Sequence, residues 1–176
     1  MGKHIIIDGY NLIRQSPELY ELDRLDLELG RNRLIDMLAV YKRMKAHKIT
    51  VVFDGGNAPP FSDRRDKIKG IHICFSGPGE TADAVIKKMT AKIREHAFVV
   101  SSDREIIQYA EKKGAVSLTS PEFSHIVIQA AYMEQKGVVS EDEEEYEGWI
   151  ATTKKKGPSR RLSRKKRRKK QALKKL

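Results

Sequence analysis

A strongly apolar segment near the start of the chain, HIIID at residues 4–8, constrains the fold more than any other stretch. Three consecutive isoleucines are typical of a strand that is buried on both faces of a parallel sheet. The run stops abruptly at Asp8, and a carboxylate where a strand leaves the core is costly unless something pairs with it. Acidic residues occupy similar places at Asp54, Asp83 and Asp103. We therefore expect these four carboxylates to meet at one edge of a sheet.

Strand-like and helix-like segments alternate along the first three quarters of the chain. Apolar and alternating runs predict strands at residues 4–8, 48–53, 71–75, 97–101 and 115–118. The pattern of the third strand predicts an edge or half-exposed position. The segment that joins Asp54 to this strand is predicted to be a polar loop. Apolar residues at helical spacing predict helices over about residues 22–46, 80–93, 102–113 and 120–135.

The ends of the predicted helices carry recognisable signals. The first helix begins late or bends near Gly30, Glu80 starts the second, and Ser102 and Ser120 are the expected caps of the last two. Crossover connections between parallel strands are almost always right-handed, so this alternation predicts a Rossmann-like, three-layer α/β/α fold. Its sheet is expected to be mostly parallel, with about five strands.

The carboxyl edge of such a sheet is where ligands bind, and the acidic residues fall on it. Taken singly, each acid could be a turn residue or a helix-terminal charge worth about 0.3–1 kcal/mol. Several carboxylates within a few ångströms repel one another unless they are protonated or bridged by a cation. Oxygen ligands select Mg²⁺ or Mn²⁺, which can activate water for attack on phosphorus. We expect Asp8, Asp83 and Asp103 to ligate such a metal, with Asp54 close behind and Glu80 binding directly or through water.

The charge of the chain is divided unevenly along its length. The net charge is +11, but residues 154–176 contain fourteen Lys and Arg and no acid, so residues 1–153 carry −3. This basic tail has too few apolar residues to order itself alone and is expected to be disordered or a fluctuating helix. An acidic run, EDEEEYE, occupies residues 141–147. The predicted organisation is a domain over residues 1–137, an acidic linker over 138–153 and a basic tail over 154–176.

The basic tail predicts binding to RNA that is largely independent of sequence and that weakens steeply with salt. Ribosomal RNA, transfer RNA and mRNA are all compatible partners. Arg64 and Arg65 of the polar loop could contact the RNA backbone, or they could be exposed to solvent. The candidate RNA-binding residues are Arg64, Arg65, Arg160, Arg161, Arg164, Lys165, Lys166, Arg167, Arg168, Lys169 and Lys170.

Other features narrow the class of protein. Cys74 is the single cysteine, so no intramolecular disulfide can form, which is typical of a reducing cytoplasm. No apolar run approaches the roughly 20 residues of a membrane span, and no secretory signal precedes the first strand. The five histidines lack zinc-ligand spacing. No oligomeric state is favoured.

Four motifs in order, IDGYNLI, VVFDGG, GETADAVI and SSDREI, resemble the YacP-like branch of the NYN-domain family, which has a PIN-like nuclease fold. The resemblance covers roughly residues 3–135, without the basic extension after residue 140. It implies metal-dependent endoribonuclease activity linked to the translation machinery. The acidic positions that match the family are Asp8, Asp54, Asp83 and Asp103. Asn11 would orient Asp8 or a water, and Ser102 and Arg104 match the family's Ser-Asp-Arg element.

Two other functions fit the same residues. In a non-catalytic RNA-binding or ribosome-associated protein, the acidic edge would be inert and the basic tail would bind the partner. In a phosphatase or phosphotransfer domain, the same acids would act on small phosphate esters.

Overall fold

A six-stranded sheet forms the centre of the computed structural model, which describes residues 3–58, 63–136, 164–173 and 176. The strands are β1 (His4–Asp8), β2 (Lys48–Phe53), β3 (Arg65–Ile68), β4 (Ile71–Phe75), β5 (Ala97–Val100) and β6 (Val116–Leu118). The helices are α1 (Gly9–Gln15), α2 (Pro17–Leu25), α3 (Leu27–Met44), α4 (Ala82–Ile93), α5 (Arg104–Lys112), α6 (Ser120–Gln135) and α7 (Arg164–Leu173). Among the described residues, no helix is both long and apolar enough to cross a membrane.

The sheet has the order β3-β4-β2-β1-β5-β6, and every neighbouring pair is parallel except β3 with β4. The central strand β1 places Ile5 opposite Ile49 of β2 and Phe98 of β5. The expected mixed α/β fold with a mostly parallel sheet is confirmed. Because β1, β2 and β5 run in the same direction, their carboxyl ends lie at one edge, as the acidic residues require.

Helices cover both faces of the sheet, since successive strand residues point to opposite faces. Ile5 and Ile7 pack with α1, α2, α3 and α6 in one hydrophobic cluster, whereas Ile6 packs with α4 and α5 in the other. All three isoleucines have no exposed surface. This two-sided burial explains why the segment reads as a continuous apolar run rather than an alternating one.

The sheet contains one strand that the sequence did not predict. Residues 65–68 lie in the segment read as a polar loop, but they form β3, antiparallel to β4 at the edge of the sheet. All four residues of β3 are exposed, so no apolar alternation marks them. As a result β4 is second from the edge, and its alternating burial reflects its half-exposed position.

Residues 22–46 do not form one helix, and the first long helix begins late, at Leu27, as one of the two alternatives had it. The chain breaks at Asp26, which has an extended backbone and accepts a hydrogen bond from the Glu28 amide at 2.6 Å, so that α3 starts afresh. Gly30 lies inside α3, where a Cβ would come within 2.9 Å of the Asp23 Cβ. The glycine therefore permits close packing of α2 on α3.

Three helices begin one or two residues away from the expected starts. The N-caps are Thr81, Asp103 and Thr119, in place of Glu80, Ser102 and Ser120. Thr119 forms a capping box with Glu122, with both reciprocal hydrogen bonds present.

The end of the basic tail is a helix that packs on the domain. Helix α7 lies against β6, Leu173 packs on the main core, and Leu176 is only 6% exposed. The Tyr41 hydroxyl donates a hydrogen bond to the Leu176 carbonyl oxygen at 3.0 Å. The tail is thus helical at its end, as one of the two expectations had it, and is stabilised by tertiary contacts. The acidic linker lies outside the described residues.

Candidate active site

A cleft of about 550 Å³ opens at the carboxyl edge of the sheet, where the chain leaves β1, β2 and β5 and enters α4. All four predicted aspartates line it, although they come from four separate segments of the chain. The lining residues are Asp8, Tyr10, Asn11, Arg14, Gln15, Asp54, Thr81, Ala82, Asp83 and Asp103. The structure therefore brings together the acidic residues that the sequence placed on this edge.

Asp8 is the most buried of these acids, with 9% of its surface exposed. Its Oδ1 accepts the Asn11 amide at 3.2 Å, which caps α1, and its Oδ2 accepts the Ser101 hydroxyl at 3.0 Å. Burial raises the pKa of Asp8 above its ordinary value, these hydrogen bonds lower it, and the charges of Asp83 and Asp103 add to the rise. The raised pKa means that the ionised form of Asp8 lacks sufficient compensation within the protein.

Asp83 and Asp103 both line the cleft, and their negative charges interact. Burial raises the pKa of Asp83, and the negative charge of Asp103 is the next largest cause, partly opposed by Lys87. Asp103 is held as the cap of α5, where its Oδ1 accepts the Glu105 and Ile106 amides at 2.6 and 3.2 Å. The two acids therefore repel each other, and a cation between them would offset this repulsion.

Asp54 completes the acidic lining from the end of β2. Its Oδ1 accepts the Gly56 amide at 2.9 Å in the tight turn that follows the strand. The hydrogen bonds described for Asp54 and for Asp103 all use Oδ1.

The donor set suits a hydrated divalent cation better than an ion enclosed by protein. Among the described residues, no three His, Cys, Asp or Glu side chains are grouped closely enough to hold a metal ion by themselves. Mg²⁺ commonly binds through one or two carboxylates and completes its shell with water and substrate phosphate. Carboxylate oxygens with raised pKa values at Asp8 and Asp83 fit that mode of binding.

Asn11 joins three loops of the site. Its Oδ1 accepts the Ser102 amide at 2.8 Å and the Ser120 hydroxyl at 2.8 Å, and the Ser120 amide donates to the Ser102 hydroxyl oxygen at 3.2 Å. These contacts tie α1 to the segments that follow β5 and β6. The positioning role expected of Asn11 and Ser102 stays a prediction with which these hydrogen bonds agree, and Ser120 joins them instead of capping α6.

Replacing Asn11 by alanine is expected to destabilise the protein by about 1–3 kcal/mol, because the Ser102 amide loses its acceptor in a half-buried place. Chemical denaturation measures the free energy of unfolding. Gln15→Ala is the control, since Gln15 is an exposed residue of the same helix at the rim of the cleft. Equal stabilities of the two variants would contradict the role assigned to Asn11.

Sequence reasoning missed three residues of the site. Ser101 has no exposed surface, donates to Asp8 and accepts the Asp103 amide at 3.1 Å, so it holds two of the acids. Tyr10 and Arg14 line the cleft, with the Arg14 guanidinium 5.8 Å from the centre of the Tyr10 ring. Ser101 is the first residue of the SSDREI motif, and Tyr10 lies in IDGYNLI. A search of these motifs for uncharged polar residues would therefore have found both.

The remaining predicted residues lie outside the acidic cleft. Glu80 and Arg64 line a neighbouring cavity of about 480 Å³, which shares Asp54 with the cleft. The Glu80 carboxylate pairs with Lys88 at 2.5 Å, which lowers the pKa of Glu80. Arg65 is exposed in β3, and Arg104 is exposed at the start of α5. The structure therefore places Glu80 in a cavity with Asp54 but outside the cleft that Asp8, Asp83 and Asp103 line.

Residues 5–175 match the family model described as the YacP-like NYN domain. The chain belongs to the YacP-like NYN domain family. This match includes most of the basic tail, so the extension that the motifs left outside is part of what the family shares. The family has a nuclease-like, RNA-related fold.

Similar proteins from Bacillus subtilis agree with this assignment. The uncharacterized protein YacP of strain 168 is 28% identical over 102 residues, which are 56% of this chain and 59% of that protein. The crystal structure of Rae1 (YacP) superposes with a TM-score of 0.64 at 24% identity, covering 76% of this chain and 78% of that one. A single-substitution mutant of Rae1 gives a TM-score of 0.63 at 24% identity, covering 76% and 80%. These two structures support the fold.

Proposed function

We propose that this protein is a cytoplasmic, metal-dependent endoribonuclease that hydrolyses RNA phosphodiester bonds in the acidic cleft. The observation that carries the proposal is the convergence of Asp8, Asp54, Asp83 and Asp103 on one cleft at the carboxyl edge of the sheet. Membership of a family with a nuclease-like fold supports it. The charge of the basic tail is compatible with mRNA, tRNA and rRNA, and family resemblance makes the ribosome a candidate partner.

Each part of the cleft has a role in this mechanism. Bound Mg²⁺ or Mn²⁺ would supply activation of water and neutralisation of charge on the leaving oxygen. One or two carboxylates among Asp8, Asp83 and Asp103 would hold it, with water completing its shell, and Asp54 belongs to the same lining. The Ser101 hydroxyl orients the Asp8 carboxylate by donating to it, and it accepts the backbone amide of Asp103.

The rim of the cleft suits a polyanion. Arg14 is exposed there and is the one basic side chain among the described residues of the lining. A guanidinium at this place would contact a phosphate beside the reacting one and offset the repulsion between the RNA backbone and the acids. Asn11 keeps α1, which carries Arg14, in a fixed position relative to Asp103.

Incubation of end-labelled RNA with the protein and Mg²⁺ or Mn²⁺ tests the proposal. Internal cleavage that stops when the metal is chelated is the expected result. RNA binding without cleavage would favour the second candidate, a non-catalytic RNA-binding protein, which the basic tail supports. Release of phosphate from small esters without cleavage of RNA would favour a phosphatase.

Residues 141–147 are proposed to pair with the basic tail in the free protein, although they lie outside the described residues. Deleting this acidic run is therefore expected to raise the affinity for RNA at low salt, because the tail cations lose an internal competitor. Fluorescence anisotropy with labelled single-stranded RNA measures the effect. An unchanged affinity would reject this pairing.

A further inference from the structure

Helix α7 is fastened to the domain at two places. At its end, Leu173 packs on the core, Leu176 is buried, and the Tyr41 hydroxyl bonds the Leu176 carbonyl. Nearer its start, Lys169 Nζ lies 3.0 Å from both carboxylate oxygens of Glu122. Between these points the helix runs beside β6, the last strand of the sheet.

The two attachment points define the direction of the helix. Glu122 is in the first turn of α6, two residues after Ser120, whose hydroxyl contacts Asn11 of the cleft. Tyr41 is in the last turn of α3, close to where β2 begins. This is the amino edge of the parallel strands, opposite the carboxyl edge that carries the cleft. Helix α7 therefore starts near the cleft edge and runs away from it. At about 1.5 Å per residue, residues 164–168 extend roughly 7–8 Å farther toward the cleft side than Lys169.

The run of positive charges in α7 destabilises the helix unless an anion binds to it. Residues 164–170 are seven consecutive cations, and like charges one turn apart destabilise a helix. Arg167 and Lys170 are exposed, and Lys169 has the one acidic partner described along the helix. The apolar anchors thus hold a dense row of positive charge beside an edge that carries the acidic cleft.

We propose that anchored helix α7 is a binding surface for the RNA backbone, which holds the strand on the β6 side of the cleft while another part of the same strand enters it. The assignment rests on the proposed function for the identity of the polyanion. The RNA is recognised through its phosphates and without regard to sequence. Fixed contacts of this kind raise the local concentration of RNA at a cleft whose own charge repels it.

The first test measures binding in EDTA, so that it does not depend on cleavage. The double variant Arg167→Ala/Lys170→Ala removes two exposed cations of α7, and Lys112→Ala/Lys113→Ala removes two exposed cations at the end of α5, which packs on the opposite face of the sheet from α7. The affinity for a labelled single-stranded RNA is followed by anisotropy over a range of salt.

The α7 variant is expected to bind about 10- to 30-fold more weakly near 0.1 M salt, with a log–log salt slope less steep by about 1.4. The α5 variant should keep the slope of the unaltered protein. Equal effects of the two variants would overturn the proposal, since α7 would then act only through net charge. RNA binding that passes this test while the protein fails to cleave RNA would reject the nuclease function and leave the binding surface standing.

The second test asks whether anchoring matters. Leu173→Asp places a charge at a core contact, and Gln171→Asp places the same charge at an exposed position of the same helix. Leu173→Asp is expected to speed amide hydrogen exchange in α7 and to lower RNA affinity several-fold more than Gln171→Asp. Thermal unfolding confirms that the domain stays folded. Unchanged exchange, or equal affinities of the two variants, would contradict the anchored surface.

Discussion

Replacing Asp83 by asparagine is expected to lower RNA cleavage by at least about 100-fold, because changes even to residues behind metal ligands commonly cost 10- to 100-fold. Asn keeps the shape of the side chain but removes the charge that would hold a cation opposite Asp103. Asp8→Asn should have a comparable effect. Single-turnover cleavage of end-labelled RNA in Mg²⁺ or Mn²⁺ measures the loss.

Asp66→Asn is the matched control, since Asp66 is an exposed aspartate of β3 outside the cleft lining. It should cleave RNA like the unaltered protein. Cleavage that survives both Asp8→Asn and Asp83→Asn would remove the mechanism proposed for this cleft. Circular dichroism and thermal unfolding establish that the variants remain folded.

The raised pKa values of Asp8 and Asp83 add a pH dependence to metal binding. A folded-state pKa above the unfolded value means that the ionised carboxylate opposes folding at neutral pH. This opposition declines as the pH falls below the raised pKa and is gone below the pKa of the unfolded state. A bound cation relieves the same repulsion at neutral pH, so Mn²⁺ is expected to raise the melting temperature of the protein. The increase should fade on acidification from a higher pH than for ordinary aspartates, and it should be smaller in Asp83→Asn.

The substitution Gly55→Ala is expected to destabilise the protein by about 1–3 kcal/mol and to weaken cleavage, since overpacking forces the backbone to shift. A Cβ on Gly55 would lie 2.0 Å from the Ser76 carbonyl oxygen, which is backbone and cannot rotate away. The Gly55 amide donates to the Ser76 hydroxyl at 2.9 Å, and the Ser76 amide donates to the Phe53 carbonyl oxygen at 3.0 Å. The change therefore separates the loops after β2 and β4 and displaces Asp54.

Gly56→Ala is the control for the loss of stability. Among the residues that the structure describes, its Cβ would meet only the Asp54 carboxylate oxygen, at 3.2 Å, and that side chain can turn aside. Denaturant unfolding of both variants should show a clearly larger loss for Gly55→Ala. Equal losses would mean that the close approach of Gly55 to Ser76 does not matter for the fold.

The local sequence determined the parts of this protein that depend on neighbouring residues. The buried strands β1, β2 and β5 are visible as apolar runs, and the polar residue at each strand end is visible as the point where a run stops. Parallel crossover connections then place Asp8, Asp54 and Asp103 at the same edge without further information. The four family motifs lie at these points, which is why the fold and the family could both be predicted.

Tertiary structure decided the features that depend on distant residues. Edge strand β3 has no buried face, so its place is set by pairing with β4. The choice of Thr119 over Ser120 as a cap depends on Asn11, which is 109 residues away and engages the Ser120 hydroxyl. Helix α7 is held by Tyr41, 135 residues from Leu176. Periodicity and capping are local properties of a chain, whereas these contacts exist only once the sheet has brought its ends together.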